Sequence, residues 1–291
     1  MDIDTTGFNT ETNHVTAIRN GMFFASRHIA DMFLAVWPAM LPNVIIWAIT
    51  GWCASQFTAQ FHFDAMMGGN QHILLYSVGF LLLVLWLLAT AIFWGSQTYV
   101  LLYYTQNAKW PHYHSVIQDY KTFCSFILRA TICLSMVVVL GLFPSLLLWI
   151  TVHLKWYWLL SCWIASNLLL VIPLIPVYYE WVIKGNSFRE AFKQIKTGCS
   201  RWGTWFTVSI SGFSVISVLS AIFWLPTFVS IYVFHLNQME LLLGDAPDLP
   251  VWMGYIIPVL CGLSTLASLS LGGLLSVPLS ILYGLKIKED N

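Results

Sequence analysis

Glu180 is the residue best placed to do chemistry. It closes the apolar run Pro176–Gly185, PVYYEWVIKG, beside Tyr178, Tyr179 and Trp181. An ionisable group at membrane depth is a functional candidate by default, because burying its charge is expensive. The plainer reading is an interfacial carboxylate paired with Lys184 at i+4, a small exposed contribution, and it is preferred here. Arg129 sits early in another apolar run and can snorkel towards headgroups. Histidines and carboxylates also occur at His62, Asp64, His72, His153, His235, Glu240, Asp245 and Asp248. Those side chains suit a transition metal, but they are scattered over three connecting segments without ligand spacing, so neither metal nor cofactor is expected. His112 and His114 start a helix, where i and i+2 do not share a face. Met66–Asn70, MMGGN, lacks the P-loop lysine. No GxSxG, HExxH or intramembrane Asp pair occurs, and no catalytic residue is assigned. Ser264, Ser268, Gly272 and Ser276 recur every fourth residue, a spacing that lets helix backbones approach closely. The preceding apolar run adds the small residues Ser209, Gly212, Ser217 and Ala221. Packing is the reading for both, ahead of an oligomer seam or a hydroxyl-lined passage.

The element that positions the charges is Ser187–Trp202, SFREAFKQIKTGCSRW. Phe188, Ala191, Phe192, Ile195, Cys199 and Trp202 fall at i, i+3, i+4, i+7, i+11 and i+14, one helical face. Arg189, Lys193, Gln194, Lys196, Ser200 and Arg201 occupy most of the rest. Ser187 and Glu190 have capping-box spacing, which predicts the helix start. A basic amphipathic helix feeding an apolar run suits a membrane surface. Lys184, Arg189, Lys193, Lys196 and Arg201, with Lys121 and Arg129, form the expected headgroup- or partner-binding set.

Composition agrees. The chain has 291 residues, 58% hydrophobic and 9% charged, where a soluble domain carries roughly 25% charged residues. Net charge is zero, which excludes a basic nucleic-acid footprint. The six cysteines sit mostly in apolar runs without CxxC, as small core residues. The polar, acidic start is read as a tail, with no cleavable signal and no lipidation motif.

The fold expected is an all-α membrane protein of one domain, 1–291, with six transmembrane helices. The spans are Met32–Trp52, Ile73–Tyr104, Phe126–Thr151, Trp156–Ile183, Gly203–Phe234 and Val251–Leu285. Amphipathic helices at His14–Ala30, from Pro111 to Cys124 and at Ser187–Trp202 lie at the cytosolic interface. On the first, Val15, Ile18, Met22, Ala25 and Ile29 make the apolar face. Ala54–His72 and His235–Pro250 are expected loops. Prolines 38, 42, 144, 173, 176 and 226 are expected to kink spans. Twelve of the 13 basic residues fall on one side in this arrangement, and only Lys155 on the other. The positive-inside rule then places both termini in the cytosol.

A repeat underlies the pattern. A shift of 75 residues lays Tyr103-Tyr104 on Tyr178-Tyr179, Lys109 on Lys184 and Lys121–Ser125 on Lys196–Ser200, seven identities without a gap. A shift of 174 lays Ala25–Arg27 on Cys199–Arg201 and Ala17 on Ala191. Pro278-Leu279 and Tyr283 match Pro173-Leu174 and Tyr178. The unit is amphipathic helix, span, outside loop, span. Its three copies cover about 14–108, 109–183 and 184–288, as parallel repeats around a membrane-normal axis.

The stretch YYEWVIKGNSFREAFKQIKTGCSRWGTWFTVSI resembles a broad group of six-helix bacterial inner-membrane proteins. The group includes the membrane domain attached to some glycerophosphoryl diester phosphodiesterases, and related families of unknown function. The shared features are the polar turn Lys184–Ser187, the core Ala191-Phe192-Lys193 and Arg201-Trp202 entering a span. The resemblance implies a fold and a multi-pass inner-membrane location. It implies no activity, because the catalytic domain with its metal-binding carboxylates and histidines is absent. The leading expectation is therefore a non-enzymatic accessory protein of membrane homeostasis. It would bind membrane lipids, other membrane proteins or a second copy of itself, and no nucleic acid. A transporter for a small hydrophobic or amphipathic solute is the alternative, and a lipid-modifying enzyme the third.

Overall fold

A computed structural model describes residues 14–66, 73–107, 109–111, 122–136, 172–182, 187–244, 249–250 and 252–283. Among them every regular element is a helix. These are α1 (His14–Arg27), α2 (Ile29–Met66), α3 (Ile73–Asn107), α4 (Thr122–Met136), α5 (172–182), α6 (Phe188–Lys193), α7 (Ile195–Ser200), α8 (Trp202–Leu243), α9 (Met253–Ser270) and α10 (Gly273–Tyr283).

Among the described residues four stretches are long and apolar enough to cross a membrane: Ile29–Gln56, Ser77–Asn107, Trp202–Leu243 and Met253–Tyr283. Their surfaces point the same way. Along α8, Val218, Ile222, Leu225, Val229 and Tyr232 recur at i, i+4, i+7, i+11 and i+14, each 54% to 64% exposed. A stripe this apolar and this long is an aggregation site in water and a solvated face in lipid. α4 and α5 are the described ends of the expected third and fourth spans, whose remainder lies outside the described residues. So do most of the amphipathic helix expected after Pro111, with Lys121, and the polar turn holding Lys184.

Several expected boundaries move. The Ala54–His72 segment is not a loop as far as Met66, because α2 runs on through it. No glycine or proline stands between Ala54 and Met66, and Gly68 is the first breaker. Likewise α8 continues past His235 to Leu243 and stops at Gly244, whose φ of +94° is the left-handed conformation that ends helices. The segment expected as the sixth span divides at Leu271-Gly272 into α9 and α10. The basic helix also divides. Ser187 caps α6 with the expected reciprocal pair, its Oγ accepting from Glu190 N–H while the Glu190 carboxylate accepts from Ser187 N–H. α6 then ends at Gln194, and α7 follows.

The protein-facing sides of the amphipathic helices differ from their apolar faces. α1 buries Ala17, Gly21, Phe24 and Ala25 and exposes Val15. On α6 and α7 the buried residues are Ala191 and Gly198, while Phe188, Phe192 and Cys199 are exposed. Contacts with protein fall on the small residues. A Cβ at Gly21 would come within 2.7 Å of the Pro278 Cα, and one at Gly198 within 2.5 Å of the Pro173 carbonyl oxygen. Both helices thus lie directly on a proline-bearing backbone.

The described residues gather into two compact units. The first comprises Met1–Val36, Ala91–Val215 and Gly272–Asn291, the second Trp37–Thr90 and Ile216–Leu271. In the second, Phe234, Ile257 and Cys261 form a core against which Trp224, Ile231 and Met253 pack. Ser264 donates to the Phe223 carbonyl at 2.8 Å and lies 2.8 Å from the Thr227 hydroxyl, which therefore donates to it. Ser268 accepts from Trp224 Nε1 at 3.2 Å. These serines are packing residues that also satisfy their neighbours' polar groups, as closely approaching apolar helices require. Gly272 forms the turn before α10, and Ser276 belongs to the first unit.

Candidate functional site

The first unit holds a polar layer built on three consecutive residues of α5. Successive helical side chains point about 100° apart, so Tyr178, Tyr179 and Glu180 reach different neighbours. Tyr178 lies 2.8 Å from the Thr98 hydroxyl on α3. Thr98 gives its own proton to the Trp94 carbonyl, so Tyr178 is the donor. Tyr179 lies 3.2 Å from the Ser280 hydroxyl and 3.4 Å from the Ser276 carbonyl. Glu180 accepts from the Tyr283 hydroxyl at 2.6 Å. Ser276, Ser280 and Tyr283 stand at i, i+4 and i+7 on α10, a single stripe facing α5. Gln97 of α3 joins by donating to Ser276 Oγ at 3.4 Å. The Tyr179 and Tyr283 rings stack, their centroids 5.1 Å apart.

Glu180 is only 6% exposed. It is a buried acceptor held by a tyrosine, not the exposed interfacial group preferred from its spacing to Lys184. Arg129 donates from a terminal guanidinium nitrogen to the Trp181 carbonyl at 2.8 Å. A guanidinium donates there to a main-chain acceptor rather than to a side chain. Arg129 therefore tethers α4 to α5. Of the other basic candidates, Arg189, Lys193 and Lys196 are exposed and Arg201 is half-buried.

Beside the polar layer lies a cavity of about 670 Å³, open on one side. Trp94, Cys133, Phe188, Phe192, Phe206 and Leu279 typify its wall, and among the described residues no charged side chain lines it. Aromatic contacts order that wall: Trp181 meets Phe188 edge to face at 5.0 Å, and Trp202 stacks on Phe206 at 4.7 Å. Thr98, Tyr178, Tyr179 and Ser276 also border it, with their polar atoms engaged as above.

Gln97, Tyr179, Ser280 and Tyr283 escape the sequence reading. The signal for two was present: Ser280 extends the every-fourth-residue series through Ser276, and Tyr283 follows at helical spacing. Among the described residues no three His, Cys, Asp or Glu side chains gather as metal ligands do. Compared with known proteins, the chain matches no family model, no curated protein and no solved structure.

Proposed function

We propose that the chain is a non-enzymatic integral protein of the bacterial inner membrane, in an accessory or membrane-homeostasis role. Its basic surface helices bind anionic lipid headgroups or a membrane partner. One observation carries this reading. On α6 and α7, Arg189, Lys193 and Lys196 are exposed beside the equally exposed Phe188 and Phe192. Cations and exposed aromatics on one short segment suit the boundary between headgroups and acyl chains, where each Lys or Arg near an anionic surface adds about 1 kcal/mol.

The finer architecture belongs to the same reading: six spans, both termini cytosolic, and three repeats. Packing on the aligned prolines is compatible with the repeat: Gly21 meets Pro278 and Gly198 meets Pro173, and the alignment equates those two prolines although it sets Gly21 on Ile195. The shift of 75 equates Phe123 with Gly198 and Thr98 with Pro173. In the middle copy Phe123 packs edge to face on Tyr99, next to Thr98, at 5.7 Å. The bacterial inner-membrane setting rests on the resemblance and on the one-sided basic charge.

Reversing Lys193, Lys196 and Arg201 together tests the headgroup reading. Purified wild-type protein should gain thermal stability from phosphatidylglycerol over phosphatidylcholine in mixed micelles, and the K193E/K196E/R201E variant should lose that preference. An unchanged preference in a folded variant would overturn it. Accumulation of a small amphipathic solute in proteoliposomes would instead favour the transporter alternative.

A further inference from the structure

We infer that the cavity of the first unit holds one acyl chain of an anionic glycerophospholipid, with its phosphate against Arg189 and Lys193. The inference rests on the lipid-binding reading and gives it a site. The cavity's volume of about 670 Å³ lies within the roughly 300–1,000 Å³ of sites that bury small ligands. Its wall asks for hydrocarbon. Among the described residues no charge lines it; Thr98, Tyr178, Tyr179 and Ser276 have protein hydrogen-bond partners, and the Ser209 hydroxyl alone is buried in the wall without one. Ordered water would need two to four polar partners, which this wall does not offer.

α6 supplies the other half of the argument. Phe188 and Phe192, at i and i+4, form part of the wall. Arg189 and Lys193, each one residue further on, form the adjacent stripe about 100° around the helix and are exposed. The intervening Glu190 is occupied by the cap at Ser187. One helix therefore joins a hydrocarbon wall to two cations on neighbouring faces. The ligand complementary to that edge has an apolar chain ending in a phosphate. A bilayer component with an anionic phosphodiester head meets both demands.

Native mass spectrometry of the full chain, delipidated in detergent and titrated with dioleoylphosphatidylglycerol, dioleoylphosphatidylcholine or oleate, tests this. One phosphatidylglycerol should be retained in preference to the others. The variants Ser209→Phe and Leu275→Trp, which put bulk into the wall, should each weaken that retention about tenfold. Arg189→Glu with Lys193→Glu should abolish the preference for phosphatidylglycerol over phosphatidylcholine while one phospholipid is still retained. Undiminished retention in both wall variants would overturn the inference, as would equal retention of oleate. Should the wall variants not fold, phosphatidylglycerol carrying a mid-chain diazirine decides. Its crosslinks should fall on α5, α6 and the first turns of α8, and crosslinks confined to Val218–Tyr232 would refute the site. The headgroup reading fails separately, through K193E/K196E/R201E, with cavity occupancy left intact.

Discussion

Glu180 shows how one residue's role turns on a partner its neighbours do not reveal. An isolated buried carboxylate is costly, and the Tyr283 hydroxyl at 2.6 Å offsets part of that cost. Removing either member should therefore cost more than its own contacts. A cycle of Glu180→Gln, Tyr283→Phe and the double variant should show coupling of about 0.5 kcal/mol or more in detergent unfolding. Strict additivity would mean the contact carries no stability. Glycines give a second residue-scale test. A Cβ at Gly198 has nowhere to go, since the nearest atoms are Pro173 backbone at 2.5 and 2.9 Å. Gly198→Ala should destabilise by about 1–3 kcal/mol through forced separation of α7 from α5. At Gly203 nothing lies within 4 Å. Gly203→Ala should be neutral or stabilise by up to about 1 kcal/mol through helix propensity. Similar melting temperatures for the two variants would contradict the packing described.

At the scale of elements, local chemistry was readable and extent was not. The Ser187–Glu190 capping box was legible because its two bonds involve residues three apart. Ser187→Ala should remove it at about 1 kcal/mol, seen as faster amide exchange at Glu190 and Ala191, with Val208 and Ser209 in α8 unchanged. Unchanged exchange at Glu190 would show that the cap contributes nothing to α6. Helix ends were misjudged because bilayer thickness sets a minimum length, whereas breakers set the actual one. α2 at 38 residues and α8 at 42 would each exceed 55 Å, against about 30 Å of hydrocarbon. The protein-facing sides of α1, α6 and α7 were not predicted, for a related reason. In water the apolar stripe of a helix marks its buried side, but lipid solvates Val15 or Phe188 equally well. Protein contact is then marked by small residues, here Ala17, Gly21, Ala191 and Gly198. The polar layer stayed hidden because Tyr179 and Ser280 are a hundred residues apart, and only helix packing brings them together.

For the whole molecule, composition was decisive for class and silent on activity. With 9% charged residues the chain could not cover a soluble fold, and the exposed stripe on α8 is the structural counterpart of that shortage. Which compartment each end faces follows from a separate argument. The proposed six spans with both ends cytosolic put the twelve basic residues on one side, as the four described spans alone also would. Any odd number of spans sends some of those charges across, against the positive-inside bias. Cysteines placed at Asn291 and Gln60 in an otherwise cysteine-free chain make this measurable. In right-side-out spheroplasts an impermeant maleimide should label Gln60→Cys at once and Asn291→Cys only after lysis. Labelling of Asn291→Cys in intact spheroplasts would remove the cytosolic assignment. The anionic-headgroup reading would then have to stand on α6 and α7 alone, since the basic tail would face the opposite leaflet.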